Sequence, residues 1–327
     1  MPTPNSPAPA SKVVDHEFVQ TEAAADRGDP QESNLQGVPN LTLGDLISSG
    51  GLTASTAVVV RHRPIERKLQ AVLPWLVADR PDLFQVYQSF QERRAAACLM
   101  RRAHLISFLG LEPGRAVFAG AFQIGDATPV SEEIFQGTPG QAELFELGQS
   151  RSTVSSTITR FDLRLIPGWD RWVGRLVIDW PGKELSWFRL AEKNAFSITA
   201  ITEENRFVQT MPDWPDLNLT WAQLQVLPRS WRARLAEWRG VYLIFDTDRS
   251  ASYVGSAAGA ENILGRWVSY GRTGHGGNVQ LRSSRPESLR FSILQLTSPD
   301  LAIGDVIALE SNWKARLHTR EFGLNGN

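Results

Sequence analysis

Three of the chain's four tyrosines, Tyr242, Tyr253 and Tyr270, fall within 29 residues of one another. Arg266 stands four places before the last of them, Glu310 follows further on, and Asn325 lies two places from the C-terminal residue. An always-charged guanidinium, a hard carboxylate and ionisable phenols are the groups that phosphodiester hydrolysis calls for. That reaction must deprotonate a water, neutralise charge on a pentacovalent phosphorus and stabilise the departing 3′ oxygen. Arg266 offers a planar donor fork suited to phosphate oxygens. Glu310 can hold one Mg²⁺ (or Mn²⁺) ion, with waters and phosphate filling the remaining positions, and such an ion acts as a Lewis acid. Tyr242 can serve as general base only if its phenol pKa falls well below ~10, which a nearby cation could achieve.

The surrounding sequence supplies elements to position these groups. Gly240–Phe245 reads as a β-branched and aromatic strand, Asp246–Ser250 as a turn and Ser252–Gly255 as the return strand. The hairpin would place Tyr242 and Tyr253 near each other at one end of a small sheet. A helix is expected from Glu261 to about Tyr270, with Ile263, Leu264, Trp267 and Val268 as its buried stripe. Arg266 and Tyr270, four apart, would lie one above the other on a neighbouring face. The Gly-rich stretch 271–277 and the residue after it place Arg272, His275 and Asn278 as candidate DNA contacts. Arg290–Leu296 reads as a further strand and Gly304–His318 as a last helix, with Val306, Leu309, Trp313 and Leu317 on its apolar face. Glu310 lies beside that face and needs a partner. Lys314, at i+4 and itself a candidate DNA contact, is one; a divalent cation is another.

Taken in order, Gly240-Val241-Tyr242, Tyr253-Val254-Gly255, Arg266, Tyr270, Glu310 and Asn325 in Gly-Leu-Asn resemble the GIY-YIG nuclease family. The match covers 240–327, roughly a quarter of the chain, with valine twice where the family name has isoleucine. The resemblance implies an α/β module of about 90 residues, a short sheet flanked by helices and a single metal site. It implies the first-motif tyrosine at Tyr242 and the second at Tyr253, and the helix arginine at Arg266 with its downstream aromatic at Tyr270. Glu310 would be the metal ligand and Asn325 the late asparagine. The implied activity is metal-dependent endonucleolytic cleavage of double-stranded DNA, in restriction or phage defence, repair or mobile-element processing. Two other readings stay open: a non-catalytic DNA-binding protein, and a nuclease delivered to a complex by an N-terminal interaction domain. A second copy of the chain, forming a homodimer, is a further candidate partner.

The remainder of the chain reads as α+β. Residues 1–38, rich in Pro, Ala, Ser and acidic side chains, have too little apolar surface to offset their ordering entropy and are expected to be disordered. A helical region is expected over 39–110 and a β-rich, barrel-like domain over 111–211. A connector follows at 212–236, and the nuclease-like module at 237–327. In the helical region Leu69, Val72, Leu73 and Leu76 share one face, Pro74 should kink or break the helix, and Asp82 should cap the next one. Trp169, Trp172, Trp180 and Trp187 are expected mainly in the core of the β-rich part.

A formal net charge of −1 gives no whole-molecule attraction to nucleic acid, so basic patches must supply it. Residues 1–60 carry two basic and seven acidic side chains, whereas 61–102 carry nine and four. That makes Arg93, Arg94, Arg101 and Arg102 candidate phosphate contacts. The single cysteine, Cys98, excludes an internal disulfide framework and suits a reducing cytoplasm. No apolar run is long enough for a membrane span, and the N-terminus lacks the basic start and apolar core of a signal peptide.

Overall fold

The computed structural model describes residues 41–150, 158–181, 187–258 and 262–326, which fall in one compact unit, Asn40–Asn327. The stretch expected to be disordered, 1–38, lies outside the described residues. Within them the fold is mixed α/β, with ten α-helices and two sheets.

Helix α1 (Leu43–Ser49) is closed by a capping box between Thr42 and Asp45. The run Ala-Val-Val-Val-Arg-His then forms strand β1 (Ala57–His62), buried along its whole length. The chain crosses through α2 (Arg67–Asp79), α3 (Pro81–Ser89), the short strand β2 (Phe90–Gln91) and α4 (Arg93–Leu99) to β3 (His104–Leu109). β3 pairs with β1 in parallel. A parallel pair requires such a crossover and is covered on both faces, so its strands show no period-2 pattern. This is why two strands were hidden in a stretch that reads as helical. α2 carries Leu69, Val72, Leu73 and Leu76 into the core as their spacing requires, and runs unbroken through Pro74. Asp82 does not cap α3. It lies in the first turn, paired with Arg80 at 2.8 Å, while Pro81 opens the helix at a position where its missing N–H costs nothing.

β4 (Arg115–Val130) is long enough to serve several neighbours. After it come α5 (Glu132–Gly137), α6 (Gln141–Glu146), β5 (Ile158–Leu165), β6 (Leu176–Asp179), β7 (Phe188–Leu190) and β8 (Ile198–Ile201). β4 pairs with β3, β5 and β6, with an irregularity between Ile124 and Ala127 in its pairing to β5. Such irregularities bend a strand, and the eight-stranded sheet curls into a half-barrel. Trp169 and Trp180 fill the core on one face of it, Trp172 is half-buried and Trp187 remains 38% exposed.

The second sheet is antiparallel. It contains β9 (Asn218–Thr220), β10 (Arg239–Asp246), β11 (Ala251–Ala257) and β12 (Leu289–Thr297), in the order β11-β10-β12-β9. β9, with α7 (Trp221–Gln225) and α8 (Arg229–Glu237), comes from the stretch that reads as a connector. Three residues are too few to show alternation, so the strand is invisible before its partner β12 is known. α9 (Ile263–Thr273) and α10 (Ile303–Arg316) complete the fold. One hydrophobic cluster runs from β1 and α2 through α7 and α8 to β12. At its centre the rings of Trp75 and Trp231 lie 5.1 Å apart, and the Trp231 indole donates to the Gln209 carbonyl at 2.9 Å. Among the described residues no helix is long and apolar enough to cross a membrane.

The end of β1 places His62 edge-on to the rings of Phe84 and Tyr87, at 5.6 and 5.3 Å. Burial pushes its imidazole pKa down to about 4. The unfolded chain therefore binds a proton below the ordinary ~6.5 that the folded chain refuses, and stability falls as pH drops from 6.5 towards 4. By pH 5 this one group should remove about 2 kcal/mol of stability. Urea unfolding from pH 7 to 5 should show a steeper loss for the wild type than for His62→Leu. Parallel curves would mean that His62 is protonated in the folded protein.

Candidate active site

The hairpin β10–β11 is pinned at its turn by Asp246, a fully buried carboxylate. Its Oδ1 accepts from the backbone N–H groups of Asp248 (3.0 Å) and Arg249 (3.3 Å) and from the Ser288 hydroxyl (2.7 Å). Sequence reading placed Asp246 only in a turn; its anchoring role depends on Ser288, forty-two residues away. The register sets Tyr242 opposite Gly255 and Ile244 opposite Tyr253. Both tyrosines therefore stand on one face of the sheet, diagonal to each other. The Tyr242 ring lies directly over Gly255, where a Cβ would come within 2.6 Å of its hydroxyl oxygen. The other motif glycine, Gly240, has φ +150, and a Cβ there would meet the Gln295 carbonyl at 2.0 Å. It sits beside the register shift at Val241/Tyr242 in the pairing of β10 with β12. Both glycines are thus demanded by close approach.

α9 packs on the tyrosine face. Asn262 caps it, accepting from the Gly265 N–H at 3.1 Å, and its amide also donates to the Ala236 carbonyl, which ties α9 to α8. The buried stripe is Ile263, Trp267 and Tyr270, while Leu264 and Val268 are only half-buried. Tyr270 thus lies inside the stripe and not on the neighbouring face that its spacing to Arg266 suggested. The hydroxyls of Tyr242 and Tyr270 are 3.2 Å apart. Their ring centroids are 6.1 Å apart, Tyr253 lies 6.2 Å from Tyr270, and Trp267 meets the Tyr242 ring edge-on at 6.4 Å. Arg266 is half-buried at this cluster, and its Nε is buried without a hydrogen-bond partner.

Burial, reinforced by Tyr253 and partly offset by the Arg266 charge, pushes the Tyr242 phenol up to about 12. Burial likewise raises Tyr270. In this state both phenols hold their protons at neutral pH. The depressed pKa required of Tyr242 as a general base is reversed by desolvation, which disfavours the phenolate.

Val306 is buried and Leu309 and Trp313 are half-buried, so the apolar face of α10 packs as its spacing requires, with Glu310 and Lys314 beside it; Leu317, past the end of the helix, is 41% exposed. The helix lies on the other face of the sheet. Trp313 donates to the Gln295 side chain at 3.0 Å, and the Ser256 hydroxyl donates to Glu310 Oε2. Lys314 Nζ is 2.8 Å from Glu310 Oε1, with only 6% of the Lys314 side chain exposed. Lys314 is therefore a buried ion-pair partner and not a solvent-facing DNA contact. Ser256 follows Gly255, and alternation turns it away from the tyrosines, so β11 separates Glu310 from the tyrosine–arginine cluster. Among the described contacts none joins the two. Nor do the described residues hold a group of three or more His, Cys, Asp or Glu side chains placed to share a metal.

Asn325 is buried, and its function here is structural. Its Oδ1 accepts from the Val254 N–H (2.9 Å) and its Nδ2 donates to the Val254 carbonyl (2.8 Å). With the Leu324 N–H donating to the Ser252 carbonyl at 2.8 Å, it pairs the open edge of β11.

The remaining candidates divide in the same way. Arg272 is exposed in the last turn of α9, not in a loop, and the His275 ring accepts from the Gly277 N–H at 3.0 Å. Asn278 accepts from the N–H groups of Gln280 (2.7 Å) and Leu281 (3.2 Å), closing a turn. Arg93, Arg94 and Arg101 are exposed at the two ends of α4. Arg102 is engaged by the Ser55 carbonyl (2.6 Å) and by Glu192 (3.5 Å). No protein-family model, curated protein or solved structure matches the chain.

Replacing Asn325 with alanine removes both bonds to Val254 and leaves two buried backbone groups unpaired, at a cost of about 1–3 kcal/mol each. The expected result is a clear fall in the urea midpoint, with hydrogen exchange at Val254 accelerated ahead of the rest of the sheet. An unchanged midpoint would show that the C-terminal segment does not hold this edge.

Proposed function

We propose that the chain is a metal-dependent DNA endonuclease of the GIY-YIG type, with its reaction centre on the second sheet. The observation that carries this reading is Arg266: a permanent charge held among three phenols, with a buried Nε that has no partner. A guanidinium left with an unused donor in a desolvated site is arranged for an incoming anion, and a phosphodiester is the anion its planar fork suits. Tyr242, whose hydroxyl shares the cluster, is the group assigned to take the proton from the attacking water. Its phenol is held protonated in the free site even with the Arg266 charge beside it, so the added charge of a bound divalent cation is what would have to lower its pKa once DNA is bound.

Glu310 is the carboxylate assigned to a one-carboxylate metal site, the minimal kind that Mg²⁺ accepts when substrate oxygens and water complete its shell. Its two oxygens are engaged by Lys314 and Ser256, so holding an ion requires Lys314 to give way. When bound there, a divalent cation supplies Lewis acidity to a phosphate oxygen. Because β11 separates Glu310 from Arg266, a phosphodiester served by both would have to lie across the edge of that strand. Exposed Arg272, Arg93, Arg94 and Arg101 are assigned to the DNA backbone, where each would add to the salt dependence of binding.

Plasmid DNA incubated with the full chain should be cut with Mg²⁺ and not with EDTA. Arg266→Ala should lower the single-turnover rate by on the order of 10²-fold or more. Glu310→Gln should abolish cleavage and also destabilise the fold, because it leaves Lys314 buried and unpaired. The double variant Glu310→Gln with Lys314→Met separates these effects: stability should recover while cleavage stays lost. A double variant that cuts like wild type would remove Glu310 from the chemistry.

A further inference from the structure

We propose that the cavity at the carboxyl end of β1 receives a single nucleobase turned out of a DNA strand, recognised by stacking on Trp187 and by a hydrogen bond to His62. The inference rests on the DNA reading above but concerns a different part of the molecule. The cavity has a volume of about 530 Å³, and Arg63, Tyr87, Phe90, Gln91 and Trp187 line it together with His62. That volume lies within the ordinary range for small-ligand pockets, ~300–1,000 Å³. It opens where β1 ends, and β1 has a parallel neighbour, β3, on one side and an antiparallel one, β7, on the other.

The chemistry of the lining selects the ligand. His62 is only 6% exposed, and its imidazole faces the Gln88 side chain, with Nε2 in no hydrogen bond of good geometry. Leaving such an atom unsatisfied costs about 1–3 kcal/mol, a cost that a ligand's polar edge would remove. An imidazole kept neutral by burial exchanges one hydrogen bond and offers no charge, which suits the edge of a base better than a phosphate. The rings supply the complementary surface. Trp187 is 38% exposed at the rim, and Tyr87 and Phe90 are half-buried. Base–aromatic stacking is worth about 1–3 kcal/mol and needs no particular base.

Positive charge stands at the same mouth. Arg63, which lines the cavity, is exposed. A base entering here would therefore keep its phosphates in a basic setting. Extrusion from a duplex costs a few kcal/mol, least for a mismatched, damaged or unpaired base. The cavity would accordingly favour such positions.

The test is calorimetric titration of the full chain, in EDTA, with each of the four deoxynucleoside 5′-monophosphates and with deoxyribose 5-phosphate. At least one nucleotide should bind saturably, and the sugar phosphate that lacks a base should bind roughly ten-fold or more weakly. Trp187→Ala, at the exposed rim, should weaken nucleotide binding roughly ten-fold without moving the unfolding midpoint. His62→Gln should change the ranking among the four bases. The proposal is overturned if no nucleotide binds, if deoxyribose 5-phosphate binds equally well, or if neither variant alters binding. Nucleotide binding without Mg²⁺-dependent cleavage would leave this site standing and remove the nuclease reading; cleavage without nucleotide binding would do the reverse.

Discussion

The second sheet is organised around one contact, the ring of Tyr242 lying on the bare Cα of Gly255. With any side chain at 255, the phenol could not lie flat across the neighbouring strand, and its hydroxyl could not reach Tyr270 at 3.2 Å. Trp267 and Tyr270 then close over that ring from α9, and Arg266 is held at the edge of the phenols by the same helix. Gly240 is the second requirement, because only a residue without a side chain can pass the Gln295 carbonyl where β10 and β12 shift register. Two glycines, chosen by close approach, thus decide where three phenols and a guanidinium can meet.

Desolvation then sets the electrostatics. The cluster is buried enough to keep Tyr242 protonated to about pH 12, and the same burial leaves the Arg266 Nε without a hydrogen-bond partner in the protein. These are two results of one low-dielectric site: the phenolate is disfavoured, and any anion that does enter meets an unscreened positive charge. Rigidity comes from outside the cluster. The hairpin turn is fixed by Asp246, the free edge of β11 by Asn325, and the opposite face by α10 through Glu310 and Trp313. The core beneath is shared with the half-barrel through Trp75 and Trp231, so the second sheet does not stand as a separate body. A fragment beginning near Ser230 would lose β9 and the packing of Trp221 on Phe291 (6.5 Å).

What the sequence made legible was local. The hairpin, the two helices after it and the β-rich character of 111–211 follow from periodicity and turn residues, and the two motif glycines stand in plain sight. What it concealed was set by partners distant in the chain. β1 and β3 carry no alternation because both their faces are covered, and β9 is a strand only because β12 lies beside it. The pairing of Lys314 with Glu310 follows from their i,i+4 spacing, but that the pair is buried does not. The two bonds of Asn325 to Val254 join residues 71 apart and leave no local signal. The direction in which the Tyr242 pKa moves is not legible either, because a sequence displays neighbouring charges but not the depth of burial.

The most direct test of the account is single-turnover cleavage of plasmid DNA, with Mg²⁺, by wild type and Tyr242→Phe across pH 6 to 9. The substitution keeps the ring on Gly255 and deletes only the oxygen that can take a proton. Wild-type rate should climb with pH, as expected for a base that is protonated at neutrality, and Tyr242→Phe should be slower by on the order of 10²-fold or more throughout. A Tyr242→Phe protein with the wild-type rate and pH profile would contradict the account.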